Sequence, residues 1–331
     1  MDRSKTLFVA LTFAALALYP LVAGPFGIDL VTKTMIYAIF ALSLELLVGG
    51  TGLVCFGQAA FFGIGAYALV LLSAASGARS LAWLLPCCVL AAAAYALFVG
   101  SLSLRTRGVY FIMVTLAFAQ MAYYVAHDTP LGGGTDGIYL TVVPTLSGVD
   151  LSQSPAIYGI TLLCLAAVFG CLALLLRSRF GRALAGIRIN EQRMRAAGFS
   201  TYGYKLAAFV ISGALAGLAG ALFALKDGVV NPELMGWHLS GTALVMVILG
   251  GIGHLRGALI GAFAFALLQE LFQSEAIFGG FAKHWHLGLG LAIIASVALL
   301  PRGIVGVPAQ IRERLLGFKT TPLTGISDAV A

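Results

Sequence analysis

Long apolar runs separated by short polar gaps set the rhythm of this chain. They predict about ten membrane spans, near residues 6–23, 30–49, 58–76, 81–104, 108–127, 156–176, 205–226, 241–253, 257–273 and 285–301. Two are weak. The eighth is short for a bilayer, and the third begins inside a glycine-rich stretch. The run behind MDRSK has the outline of a signal peptide, but the sequence after it is itself membranous, so it reads as a retained first span. The expected fold class is all-α: a polytopic integral membrane protein with a cytoplasmic segment 1–5, a transmembrane domain 6–301 and a cytoplasmic tail 302–331.

Composition narrows this further. With 60% hydrophobic and 10% charged residues, too little polar material exists to cover a soluble core of this length. The placement of the basic residues gives the orientation. With the N-terminus inside, Arg3, Lys5, Arg105, Arg107, Arg256, Arg302, Arg312, Arg314 and Lys319 fall on the cytoplasmic side. Only Lys33, Arg79, Lys226 and Lys283 fall at the outer side, which predicts both termini inside. The net charge of +7 then belongs to cytoplasmic loops in contact with membrane lipid, and no nucleic-acid partner is expected. The five cysteines (Cys55, Cys87, Cys88, Cys164 and Cys171) sit in apolar stretches without metal-ligand spacing and are expected to be reduced packing residues.

One polar island interrupts the pattern. Residues 177–205 carry Arg177, Arg179, Arg182, Arg188, Arg193, Arg195 and Lys205 against a single acid, Glu191. Asn190 is a good N-cap, Glu191 favours a helix N-terminus, and Gly198 is suited to a left-handed stop. These signals predict a helix of about two turns at the cytoplasmic surface, a form suited to docking a protein, with an ordinary positive-inside loop as the alternative. Glu191, Arg195 and Gly198 are its candidate functional residues. On the other side, the loop 128–155 is long and acidic, with Asp128, Asp136 and Asp150 in it and Asp227, Glu233 and Glu275 in later outer loops. Such a rim can either engage a basic patch on a soluble partner or simply be solvated.

Glycine is concentrated in two stretches, LLVGGTGLVCFGQAAFFGIGAY at 46–67 and LGGIGHLRGALIGAF at 249–263. Gly49, Gly50, Gly52, Gly250, Gly251 and Gly253 are candidate helix-break or packing positions, and Gly253, Gly257 and Gly261 have the spacing of a small-residue contact face. Both stretches begin GGxG and point the same way, as in a parallel repeat. Catalytic signatures are absent: no lysine follows a glycine as a Walker A motif requires, and no nucleophile elbow or zinc motif occurs. His284 and His286 flank Trp285 but diverge on a helix, so they read as an interfacial anchor and no metal site is expected.

Four stretches carry a family likeness: GGTGLVCFGQAAFFGIGAY; LRTRGVYFIMVTLAFAQ with GGGTDGI after it; GRALAGIRINEQRMRAAGFSTYGYKLAAFVISGALAGLAGAL; and MVILGGIGHLRGALIGA. In this order, over roughly residues 40–270, the chain resembles the inner-membrane permeases of branched-chain amino acid ABC importers, specifically the LivM-like subunit. The resemblance implies a LivH-like sister permease, two cytoplasmic ABC ATPase subunits and a periplasmic solute-binding protein, in a bacterial inner membrane. It implies that this chain binds no cofactor, since ATP and Mg are used by the ATPase subunits. It also implies that helix 190–198, within a loop 177–204, is a coupling helix. Two departures stand out. Many relatives read LNLL where this chain reads LELL, placing Glu45 in a span, and many carry an acid where this chain has Gln120. Glu45, Gln58, Thr115 and Gln120 are the candidate translocation-path residues. An ionisable group in a span is costly and marks either a site or an internal polar tie. The competing readings are an ABC permease for urea, an amide or another small solute, an ion-coupled secondary transporter working through Glu45, and a passive channel.

Overall fold

In lipid every backbone N–H and C=O has to be paired within its own segment, so apolar runs of this length fold as helices. The computed structural model describes residues 3–76, 80–145, 154–274, 283–300 and 303–306. Its helices are α1 (Arg3–Leu18), α2 (Pro25–Thr51), α3 (Gln58–Ser76), α4 (Leu81–Ser103), α5 (Val109–Asp128), α6 (Ser154–Arg177), α7 (Arg179–Ile189), α8 (Glu191–Ala196), α9 (Thr201–Asp227), α10 (Trp237–Gly250), α11 (Leu255–Gln273) and α12 (Trp285–Leu299). Each predicted span falls on a helix. Seven helical segments are long and apolar enough to cross a membrane, and shorter apolar helices occur at 11–21, in α3 and in α10.

Burial, more than hydropathy, distinguishes these helices. α2 and α9 are the central pair, buried along most of their length, whereas α4, α5, α6 and α12 turn apolar side chains outward as a lipid-facing layer does. The sequence of α9 explains its position. A Cβ on Gly217 would lie 2.2 Å from the Ala92 Cβ, and one on Gly220 would lie 1.8 Å from the Phe62 carbonyl oxygen. The small-residue face therefore lets α9 approach α3 and α4 backbone to backbone, where dispersion is strongest. Aromatic rings fill the wider gaps, with Phe61 edge-on to Phe209 at 5.5 Å and Phe40 tilted against Phe62 at 5.0 Å. All five cysteines are free; Cys55 and Cys88 are buried, Cys164 is half-buried, and Cys87 and Cys171 are exposed.

The connections gather at the two ends of the bundle. At one end lie the turns after α2 and α4 together with α7 and α8. At the other, β1 (Ile138–Tyr139) pairs antiparallel with β2 (Val229–Val230), and the Leu81 N–H donates to the Thr145 carbonyl at 2.9 Å. Lys226 completes this end by bridging Asp29 at 3.0 Å and Asp227 at 2.9 Å. The first half of the long loop 128–155 is thereby pinned to the α9–α10 connection. Asp136 and Glu233 are exposed there, and Asp128 pairs with His127 at 2.7 Å. Asp150, Glu275 and the tail beyond residue 306 lie outside the described residues.

Candidate functional site

The basic island folds as two helices. The predicted second one forms as α8. Asn190 Oδ1 accepts the Arg193 N–H at 3.0 Å, the N-cap bond expected of it. At the other end Gly198 has φ +85°, its N–H donates to the Arg195 carbonyl at 2.9 Å, and the Phe199 N–H reaches the Met194 carbonyl at 3.0 Å. That pair of bonds is a Schellman motif, which needs the left-handed residue that glycine supplies. The first helix, α7, has no counterpart among the sequence expectations. Ser178 caps it, accepting from the Phe180 and Gly181 N–H groups, and its Ala183, Leu184 and Ile187 face the bundle. Its signal was present in the apolar spacing of 183, 184 and 187, masked by the arginines between them.

α8 is presented outward, with no buried residue of its own. Exposed apolar side chains bracket it, Ile189 at 85% exposure and Phe199 at 42%. Behind this surface α8 is tied to the start of α9. Glu191 bonds Lys205 through one oxygen at 2.5 Å and Arg195 through the other at 2.5 Å. Thr201 donates to Glu191 at 3.2 Å and accepts from Arg195 Nε at 3.0 Å. Burial alone would raise the Glu191 carboxyl, but Lys205 and Arg195 outweigh it and hold the group below the ordinary carboxylate range.

α7 is tied to the two glycine breaks. α2 ends at Gly52 with φ +76°, and α10 ends before Gly251 and Gly253, with φ +113° and +92°. Gly49, Gly50 and Gly250 are still helical. Arg188 donates to the Gly49 carbonyl and lies beside both breaks, 3.4 Å from an ideal Cβ on Gly52 and 3.5 Å from one on Gly253. Glu45, buried in α2, accepts the Gly253 N–H at 2.7 Å. A Cβ on Gly49 would stand 2.0 Å from the same carboxylate oxygen, so Gly49 provides the space that Glu45 occupies. The two glycine stretches, about 200 residues apart in sequence, thus meet around one carboxylate and one guanidinium.

The remaining candidates are dispersed. Gln58 has no exposure and donates to Ser43 Oγ at 2.8 Å and Ser212 Oγ at 2.9 Å, while Ser240 Oγ accepts the Ala59 N–H at 2.9 Å. This polar knot joins α2, α3, α9 and α10. Thr115 is fully buried where α5 crosses the turn before α3, so close that a Cβ on Gly57 would lie 2.7 Å from the Thr115 carbonyl oxygen. Gln120 is half-buried on the same helix. Ser43, Ser212 and Ser240 were missed in the sequence because single serines in apolar runs give no periodic signal. Among the described residues no group of histidine, cysteine and acidic side chains is placed to hold a metal ion.

A family model described as branched-chain amino acid transport system / permease component matches residues 6–297. The chain belongs to this family. The high-affinity branched-chain amino acid transport system permease protein LivM of Escherichia coli K12 is 32% identical over 328 residues, covering 92% of this chain and 75% of the relative. LivM of Salmonella typhimurium LT2 is 31% identical over the same shares. A shorter likeness links the chain to the probable permease protein LivH of Methanocaldococcus jannaschii, 30% identical over 34% of this chain and 36% of that one. No solved structure matches. As a branched-chain permease-component family member with several membrane-length helices, the chain is a multi-pass membrane transport protein.

Proposed function

We propose that this chain is the LivM-like permease half of an ATP-binding-cassette importer for branched-chain amino acids, in a bacterial inner membrane, with ten spans and both termini inside. Its sister is a LivH-like permease. Two cytoplasmic ATPases supply the work from ATP and Mg, and a periplasmic binding protein delivers the solute to the outer rim. Residues 6–301 form the permease domain, the loop 177–204 couples it, and 302–331 form a cytoplasmic tail. The observation that carries this reading is α8, a capped helix with exposed Ile189 and Phe199 at its ends and an ion-paired anchor to α9 behind it. A surface loop that merely balances charge needs neither the exposed apolar pair nor the anchor.

In this mechanism closure of the ATPases pushes α8. Glu191 and Arg195 pass the displacement to α9, and Arg188 passes it through α7 to the two glycine breaks. The solute path runs at the interface with the sister, with half-buried Gln120 on α5 as the nearest candidate of this chain and Thr115 fully buried behind it. Glu45 and Gln58 serve the path as positioning groups through the bonds of Glu45 Oε1 and the Gln58 amide nitrogen, while Glu45 Oε2 and Gln58 Oε1 are buried without a hydrogen-bond partner among the described residues.

The test is purification of the tagged chain from native membranes in mild detergent, beside an Ile189→Ser, Phe199→Ser variant. Recovery of a second permease and an ATPase, with the ATPase lost from the variant, is the expected result. Recovery of the chain alone overturns the assignment. Stimulation of ATP hydrolysis by leucine, isoleucine or valine, and not by urea or an amide, then identifies the solute.

A further inference from the structure

We propose that the cavity at the cytoplasmic ends of α2, α4, α5 and α9 holds the phosphate headgroup of an anionic phospholipid from the inner leaflet. The cavity has a volume of about 490 Å³ and is walled by the turns after α2 and α4, by α7 and α8, and by the start of α9. Arg105, Arg107, Arg188, Arg195 and Lys205 line it against one carboxylate, Glu191. That carboxylate is already shared by Arg195 and Lys205, and Arg188 is held by the Gly49 carbonyl. Arg105 and Arg107 are exposed and have no carboxylate partner among the described residues.

The positive-inside rule asks only that cations lie on one side of the membrane. It does not ask that cations from the turn after α4 and from α7, α8 and α9 converge on one concave space. Convergence concentrates the positive potential, and guanidinium groups present paired donors matched to phosphate oxygens. The neighbouring surface selects the source of the phosphate. Gly108 lines the cavity and leads directly into α5, whose first turns expose Val109 at 67%, Tyr110 at 73% and Met113 at 61%. A headgroup in the cavity with its acyl chains along this face satisfies both the charged and the apolar surface. A free phosphate would satisfy only the first.

The full chain, with the subunits that copurify, is placed in nanodiscs of phosphatidylcholine containing a minority of phosphatidylglycerol. The lipid retained on release into detergent is then counted by native mass spectrometry. The variant Arg105→Gln, Arg107→Gln is compared with Arg177→Gln, Arg179→Gln, which removes equal charge from the same side outside the cavity. Preferential retention of phosphatidylglycerol, weakened roughly tenfold or more in the first variant and unchanged in the second, is expected. Equal loss in both variants, or no preference over phosphatidylcholine, overturns the proposal. So does retention that inorganic phosphate displaces as well as lipid does, or that disappears whenever the ATPase is bound, because the cavity then serves a soluble anion or a protein contact. If the double variant yields no folded chain, Arg107→Gln alone supplies the comparison.

Discussion

At Glu45 a single substitution separates two roles. If the carboxylate positions the α10–α11 break, what it contributes is an acceptor for the Gly253 N–H, and an amide oxygen can do the same. Glu45→Gln is therefore expected to keep most of the uptake measured in vesicles. Glu45→Leu should lose it, at a cost of about 1–3 kcal/mol for the buried N–H left unpaired. A site that carries protons would fail equally with either variant. Gly49→Ala should resemble Glu45→Leu, because its methyl group would occupy the space of the carboxylate. The presence of an acid in a span was plain in the sequence. Its partner was not, since a backbone N–H 208 positions away leaves no mark on composition or spacing.

Among the elements, α8 is the one whose start and stop are written in its own residues. Asn190, Glu191 and Gly198 act within a few positions of one another, so local chemistry determines the element wherever the bundle places it. Replacing Gly198 with valine should cost about 1–2 kcal/mol for the left-handed backbone and uncouple ATP hydrolysis from uptake, read by comparing the two rates in proteoliposomes. The Glu191 anchor adds a pH dependence whose sign follows from its depressed titration. A carboxyl held below its usual range stabilises the docked state above that range and loses the contribution as pH falls through its folded value. The protection of amides in 190–198, after correction for the intrinsic exchange rate at each pH, should therefore fall on acidification in the native chain, and be low and nearly independent of pH in Glu191→Gln. α7 and the β1–β2 ribbon were not legible in this way. A helix whose apolar face is only Ala183, Leu184 and Ile187 is hidden among arginines, and strands of two residues have no period to detect.

For the whole molecule, the apolar runs gave the helices because lipid permits little else, yet they said nothing about which helix lies at the centre. That depends on small residues, and it makes α9 the longitudinal axis of the bundle. With 27 residues α9 extends about 40 Å, from the Glu191–Lys205 pair at the end that carries α7 and α8 to Lys226 at the opposite end. There Lys226, with a side chain only 9% exposed, bridges to Asp29 near the start of α2 and to Asp227 beside the β ribbon. On the proposed coupling role of α8, a displacement applied there would reach the far end of the bundle through one helix ion-paired at both ends. Lys226→Met should break the outer clamp and leave the cytoplasmic one intact. The expected result is normal basal ATP hydrolysis by the assembled importer with loss of its stimulation by the solute-loaded binding protein. Asp29→Asn should be milder, because Asp227 still pairs with the lysine. Equal stimulation in all three proteins would mean that the signal crosses the membrane through the sister subunit or through α2 and α10, and that α9 is only a packing core.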